Sequence, residues 1–400
     1  MNENILEGDS MIKLVLWDYT GDSAAWCEKF LRPNVAEIVR TLRPDDADQV
    51  EVIMRGDWDY VLIFADDDTQ KIFDEILETI QAMNVATDKI IFATNYEDWI
   101  KNPAALYSLP KPSEAIEKFY RYLNFVNHRK WHHYAACDAE DLHYVGTSQD
   151  ECIIPFTYMT NENFVADDIK TFHALAKKFY GVDDSDGYFL DLGANIGTTG
   201  IYFVTKLAPR LKLFAVEPDL ENFKLLRVNL ILNDLEPKTT LVNCGLGDDF
   251  DTLTIQKNFE NPGGNGFIPS KFNTPAEELP IAPLDYLLAE SEIAPEKVKY
   301  IWIDTEGFEA KVLLGAKNLL AKSRAPVFME CNLLAWKNSN ALERMVDMLA
   351  ELGYTKFIPM VRSAEEKIYP IENLLVAVNY AAPPLGQVGD IFLINEFVNR

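Results

Sequence analysis

Tyr188-Phe189-Leu190-Asp191-Leu192-Gly193-Ala194-Asn195-Ile196-Gly197-Thr198-Thr199-Gly200 decides how the C-terminal half of this chain folds. An apolar strand runs into an acidic residue and a glycine-spaced turn, and a helix follows at once. Further on, a second strand, Leu213-Phe214-Ala215-Val216, ends in Glu217-Pro218-Asp219. This is the front half of a nucleoside-binding βαβ unit. Gly193 and Gly197 permit positive φ and close backbone approach, so a ligand can sit on bare amides. A helix starting near Ile196 turns unpaired N–H groups and the positive end of its dipole toward an anion. Glu217, at the tip of the second strand, is placed to accept from two ribose hydroxyls, and a 2′-phosphate there would be repelled. Asn195 stands where a dinucleotide fingerprint has its middle glycine, giving G-x-x-x-G. The turn also lacks the lysine of a triphosphate loop.

Working outward, composition removes several function classes. The 400 residues suit two or three domains with real cores. With 37 basic against 63 acidic side chains the net charge is −26, which disfavours nucleic acid and anionic membrane as partners. The five cysteines (Cys27, Cys137, Cys152, Cys244 and Cys331) are scattered with no C-x-x-C pair. That pattern argues against a zinc ribbon or a disulfide scaffold and suits a reducing cytoplasm. Met1-Asn2-Glu3-Asn4 opens without a basic, then apolar, leader, and no apolar run reaches the roughly eighteen residues of a membrane span.

Along residues 1–110, strand signals at Leu14–Trp17, Tyr60–Phe64 and Lys89–Ala93 alternate with helical spacing through Trp26 and Phe30 and from Ile72 to Ile80. They predict a small parallel α/β domain without a glycine-rich loop. Pro103, Pro110 and Pro112 mark a boundary, and residues 111–180 read as a mainly helical, aromatic connection. Residues 181–382 then carry a regular βα rhythm, with 383–400 as a tail. The rhythm predicts a helix from Ile196 to Lys206, and another from Asp219 to Leu232 with Asp219 as its cap and Phe223, Leu226 and Val228 on one face. Strands are expected at Thr240–Asn243 (followed by Cys244-Gly245-Leu246-Gly247), Asp251–Ile255, Tyr300–Ile303, Pro326–Met329 ending in Glu330, near Phe357, and at Leu374–Val378. Helices are expected up to Leu320 and from Ala341 to Leu352.

In an open parallel sheet, ligands sit at the carboxyl ends of the strands, near the switch point. Here those ends present Asp191, Glu217, Asn243, Asp304, Glu306 and Glu330. A crevice of carboxylates suits a ligand with hydroxyls and a positive charge, and it does not suit a phosphate ester. S-adenosylmethionine meets that description, with ribose hydroxyls for Glu217, a carboxylate for the helix N-terminus and a cationic sulfonium.

The chain resembles the FkbM family of class I methyltransferases. Phe189–Gly197, Ala215-Val216-Glu217-Pro218, Ile303-Asp304-Thr305-Glu306-Gly307-Phe308-Glu309 and Met329-Glu330 carry the resemblance, which covers roughly residues 145–380. Asn195 belongs to the family's pattern. The resemblance implies a Rossmann-like seven-stranded mixed sheet and O-methylation of a hydroxyl on a sugar, lipid-linked glycan or polyketide. S-adenosylmethionine would then be held by Asp191, Gly193, Ala194, Asn195, Gly197, Glu217, Pro218, Gly245 and Asp304. Asp304, Glu306 and Glu330 are the catalytic candidates, since a sugar hydroxyl needs a base; Glu306 and Glu330 could equally be helix caps. No metal is expected.

Other features read more plainly. Asp66-Asp67-Asp68 is a solvated strand end rather than a metal-binding D-x-D. Asp18 lacks the second acid of a phosphotransfer site, since Thr20 stands there. His128, His132, His133, His143 and His173 precede the core of the fold. Gly263–Gly266 is a substrate lid or a connector, and Tyr158 and Asn161 are candidates for closing the cofactor site. The expected partner is a small-molecule or carbohydrate acceptor. Residues 1–140 lie outside the resemblance, and recruitment, homodimerisation and support are all open roles for them. A non-catalytic nucleoside-binding scaffold and an NAD-dependent oxidoreductase are the alternatives, the latter disfavoured by the missing G-x-G-x-x-G.

Overall fold

A computed structural model describes residues 12–18, 36–43, 46, 52–53, 56–64, 90–92, 125, 132–150, 152–257, 264–267, 274–332, 341–360, 367–375 and 388–398. The chain divides into two compact units, Met1–Val126 and Asn127–Arg400. In the first, four strands, β1 (Ile12–Asp18), β2 (Ala36–Leu42), β3 (Tyr60–Phe64) and β4 (Ile90–Phe92), lie in the order β2-β1-β3-β4. All their pairings are parallel. The apolar run Leu14–Trp17 is buried as expected for a central parallel strand. β2 has no counterpart in the sequence reading, because it is an edge strand whose Ile38 and Val39 are exposed. The helices expected near Trp26 and Ile72, and Asp66–Asp68, lie outside the described residues.

The second unit opens with a hairpin, β5 (Tyr134–Ala139) and β6 (Leu142–Thr147), followed by helices α1 (Ile153–Thr160) and α2 (Ala166–Tyr180). The hairpin has no counterpart in the reading of residues 111–180, where the other described elements, α1 and α2, are helices. Its burial alternates residue by residue, but Ala135-Ala136-Cys137 puts small side chains on both faces and hides the period.

β7 (Tyr188–Leu192), α3 (Thr198–Tyr202), β8 (Lys212–Val216), α4 (Leu220–Leu232) and β9 (Thr239–Val242) come next. Then follow β10 (Gly245–Leu246), β11 (Asp251–Lys257), β12 (Thr274–Ala282), α5 (Leu284–Glu290), β13 (Val298–Ile303), α6 (Glu309–Leu314) and α7 (Lys317–Ser323). β14 (Val327–Asn332), α8 (Ala341–Glu351), β15 (Tyr354–Pro359), β16 (Tyr369–Pro370) and β17 (Val388–Asn395) complete the unit.

The main sheet has the order β16-β15-β17-β14-β13-β7-β8-β9. Strands from β9 to β14 pair in parallel, and β17 runs antiparallel to both its neighbours. Among the described residues it therefore has eight strands rather than seven, one of them the two-residue edge β16. Three further expectations are corrected. Residues 383–400 are not a tail, since Ile391–Leu393 of β17 are fully buried inside the sheet. Residues 373–375 are helical rather than the start of a strand. Val228 on α4 is exposed, whereas Leu226 is buried as expected, together with Asn222, Leu225 and Asn229.

Each face of the sheet has its own packing. On one, Phe172 of α2 contacts Tyr300, Trp302, Phe328 and Phe392, and Trp302 stacks on Phe328 at 3.5 Å. On the other, Leu190, Leu192, Ile301, Ile303 and Met329 join the buried residues of α6, α7 and α8 in one apolar cluster. Buried amides tie the hairpin to the sheet. Asn229, fully buried, accepts from Val145 N at 2.7 Å and donates to Val145 O at 3.0 Å and Ile196 O at 2.8 Å. Asn163 accepts from Tyr144 Oη and donates to Thr198 O at 3.2 Å. No helix among the described residues is long and apolar enough to cross a membrane.

Asn229→Ala would strand the Val145 N–H in the interior. It is expected to cost about 2–3 kcal/mol in urea unfolding with the denaturant slope unchanged.

Candidate functional site

The strand ends at the switch point, between β7 and β13, converge on one residue. Asp304 N donates to Leu192 O at 2.9 Å, and Gly193 turns away with φ 89°. A Cβ at position 193 would lie 1.8 Å from Asp304 O, so no other residue fits. Gly193 N and Ala194 N both donate to Val216 O at 3.0 Å, which locks the turn onto β8. Asn195 adopts φ 49°, a left-handed conformation that asparagine tolerates better than most residues. Gly197 sits at φ 94° against Leu226 of α4. Asp191, 1% exposed, accepts from Gly200 N at 2.8 Å and so fastens α3 to β7. Burial pushes its carboxyl up to about 7, against the pull of that hydrogen bond and with Asp304 adding to the rise.

Glu217 joins the turn to the end of β8. Its Oε2 accepts from Asn195 N at 2.8 Å and its Oε1 from Asp219 N at 2.9 Å. Burial pushes Glu217 up to about 8, the two amides oppose it, and Asp219 and Asp191 add to the rise. Each carboxylate oxygen retains a lone pair for a ligand donor. Asn243 clamps the same segment, donating to Glu217 O at 2.8 Å and Pro218 O at 2.9 Å. The Oδ1 atom of Asn195 is buried without a hydrogen-bond partner.

Across the crevice, the residues after β13 form a second strained turn, with Glu306 at φ 51° and Gly307 at φ 99°. Glu309, fully buried, accepts on one oxygen from Thr305 N (3.1 Å), Thr305 Oγ1 (3.1 Å) and Gly307 N (2.8 Å). Side-chain oxygens of Asp304, Glu306 and Glu330 lie within 4.8 Å of one another. No hydrogen bond to these three side chains occurs among the described residues, and Glu330 Oε2 is buried without a partner. Solvent reaches Asp304, yet protein crowds around it. Burial, then Glu309, pushes its carboxyl up to about 7. Burial, then Asp304 and Glu309, pushes Glu306 up to about 8. Glu330 is raised by burial and by the surrounding acids. Such a set shares protons readily, and one oxygen from each could take a divalent cation.

The two turns face one cavity that opens to solvent. Gly193, Asn195, Glu217 and Pro218 line it together with Asp304, Thr305, Glu306 and Phe308. The β11–β12 hairpin contributes Asn265, Gly266 and Phe267. It is held there by backbone bonds between Gln256 and Gly266, by Phe267 packed on Phe308, and by Lys257 paired with Asp219 at 2.7 Å. Among the described residues no lysine, arginine or histidine lines the cavity.

Two acidic strand ends facing a glycine turn agree with the match of residues 191–356 to the family model described as the methyltransferase FkbM domain. Over this segment the chain is similar to the FkbM methyltransferase domain. The match is narrower than residues 145–380. Methyltransferase sdnD of Sordaria araneosa is 33% identical over 94 residues, covering 24% of this chain and 36% of that protein. The chain thus spans about a third of the curated relative it matches. Among solved structures, Methyltransferase FkbM from Methylobacillus flagellatus is 13% identical with TM-score 0.32, covering 96% of this chain and 90% of that one. Precorrin-6y C5,15-methyltransferase from Geobacter metallireducens is 13% identical with TM-score 0.31, covering 57% and 87%. Scores this low do not establish a shared fold.

Within residues 191–356, six of the residues singled out in sequence line the cavity: Gly193, Asn195, Glu217, Pro218, Asp304 and Glu306. Asp191, Ala194, Gly197, Gly245 and Glu330 do not. Asp191 and Gly197 shape the turn from behind, and Glu330 lies inside β14, opposite Asp390, rather than at the strand's end. Tyr158 and Asn161 are not lining residues either. Of the loop at 263–266, Asn265 and Gly266 line the cavity and Gly263 is outside the described residues. His133, His143 and His173 pair with Glu221, Asp138 and Asp184, away from the cavity. Thr305, Phe308 and Glu309 stand in the motif that carries the resemblance but were given no role, and the reading missed Asn222 and Phe267.

A carboxyl raised on folding binds its proton more tightly in the folded state. Its stabilisation is present below the unfolded pKa and is lost as pH rises through the folded one. For Glu217 that window runs from about 4.5 to about 8. The melting temperature of Glu217→Gln is expected to gain on the wild type as pH climbs across the window, and scanning calorimetry at several pH values checks it.

Proposed function

We propose that this chain transfers the methyl group of S-adenosylmethionine to a hydroxyl of a sugar, glycan or polyketide-like small molecule. The observation that carries this reading is the shared cavity in which the Gly193–Glu217 cradle faces Asp304 and Glu306, with no basic residue among the described residues of its lining. The cradle fits the cofactor on its own terms. Asn195 Oδ1 is a buried acceptor with no protein donor among the described residues, and Glu217 keeps acceptor capacity on both carboxylate oxygens. When bound, S-adenosylmethionine supplies an activated methyl group on a cationic sulfur.

The protein's part is alignment and proton removal. Glu217 and Asn195 offer acceptors to hydroxyl and amine donors, fixing the ligand's register along the strand ends. Phe267 and Phe308 wall the cavity and limit water. Orientation of the acceptor hydroxyl can contribute roughly 7–11 kcal/mol of the acceleration. Asp304 and Glu306, raised to about 7 and about 8, are matched to taking a hydroxyl proton near neutral pH. An acceptor bearing phosphate or carboxylate would meet only like charge here. The scattered cysteines support a cytoplasmic setting for the same reaction.

Titration calorimetry tests the reading. Glu217→Ala is expected to weaken S-adenosylmethionine binding about 30–100-fold. Asp304→Asn is expected to keep the affinity for S-adenosylhomocysteine, which carries no sulfonium charge, while turnover on a panel of hydroxylated acceptors falls about 10²–10⁴-fold. Wild-type protein that fails to bind the cofactor would overturn the assignment.

A further inference from the structure

Glu309 is a fully buried carboxylate that neither the cradle nor the proposed proton transfer uses. Burying a charge costs several kcal/mol, so a turn that needed only capping has cheaper solutions. This carboxylate collects three donors on one oxygen, and all three come from the two residues flanking Glu306. Glu306 is held at φ 51°, a conformation that costs a non-glycine residue about 1 kcal/mol or more and persists only when its surroundings impose it. The result is that Asp304, Thr305 and Glu306 all line the cavity instead of continuing into α6.

We propose that Glu309 is the positioning residue of the methyl-donor pocket, holding Asp304 and Glu306 where their charge selects the cationic sulfonium over its neutral thioether product. This rests on the reading of the cavity as an S-adenosylmethionine site. A pocket so biased favours the charged donor and releases the neutral product after each turnover. The selection belongs to Asp304 and Glu306, and Glu309 acts through them. It faces the cavity through no atom of its own, since it is not among the lining residues.

The test needs no acceptor. Calorimetry on the full chain gives the affinities for S-adenosylmethionine and S-adenosylhomocysteine, which differ in the methyl group and the charge it confers. Glu309→Gln keeps an oxygen for the three donors and is expected to hold the wild-type affinity ratio within about threefold. Glu309→Leu keeps the bulk, removes the acceptor, and is expected to lower the ratio about tenfold by weakening the cation while leaving the thioether within about threefold. A leucine variant with the wild-type ratio, or one that loses both ligands by the same factor, overturns the proposal. Should that variant not fold, Thr305→Val removes one of the three donors. It is expected to lower the ratio about threefold, and an unchanged ratio overturns the proposal equally. Wild-type protein binding neither ligand overturns the cofactor reading and this inference with it, whereas a failure confined to the ratio leaves that reading standing.

Discussion

The whole site depends on one steric constraint, the contact between the backbone at Gly193 and the carbonyl of Asp304. Two neighbouring parallel strands normally keep their exits apart by the strand spacing. Here the chain leaves β7 so close to the end of β13 that a single added carbon would overlap the carbonyl oxygen. That proximity brings the glycine turn and the acidic turn to opposite walls of one small cavity. A looser junction would give two separate loops and no shared chamber. The positive φ at Gly193 and the hydrogen bond from Asp304 N to Leu192 O are two aspects of the same junction.

Polar groups set behind the cavity hold that junction in place. Asp191 anchors α3, Asn229 and Asn163 bolt the hairpin and helices before β7 to the glycine turn and α3, and Glu309 fixes the acidic turn. Each is buried, and each satisfies backbone groups that the tight turns would otherwise leave unpaired. Among the described residues, Asp304 and Glu306 at the cavity and Glu330 beside them make no side-chain hydrogen bond. The contrast separates residues that build the crevice from those available for chemistry.

Much of this was legible in the sequence because the information is local. The apolar run Tyr188–Leu192 and the spacing of Gly193 and Gly197 predict a strand and a turn within a dozen residues, and Asp219 announces its helix by side chain alone. What escaped the reading is non-local or masked by composition. The hairpin at 134–147 hides its alternation behind alanines. β17 is buried on both faces, so it shows a continuous apolar run, which a reader following period two or 3.6 passes over. Phe267 reaches the cavity only because a hairpin folds back from β11, and no spacing along the chain reports that. Glu330 seemed to end a strand because the apolar run stops there, yet backbone pairing with β17 carries β14 on to Asn332.

The position of β17 bears on the order in which the sheet is assembled. β14 and β15 are consecutive strands of the sheet in sequence, but they are not neighbours, since β17 lies between them and bonds to both. Until residues 388–395 arrive, β14 presents an open edge and β15 has no place in the sheet. The sheet beyond β14 therefore waits on a pairing made late in the chain. Long-range pairings of this sort are slow, and open edges invite association with other chains.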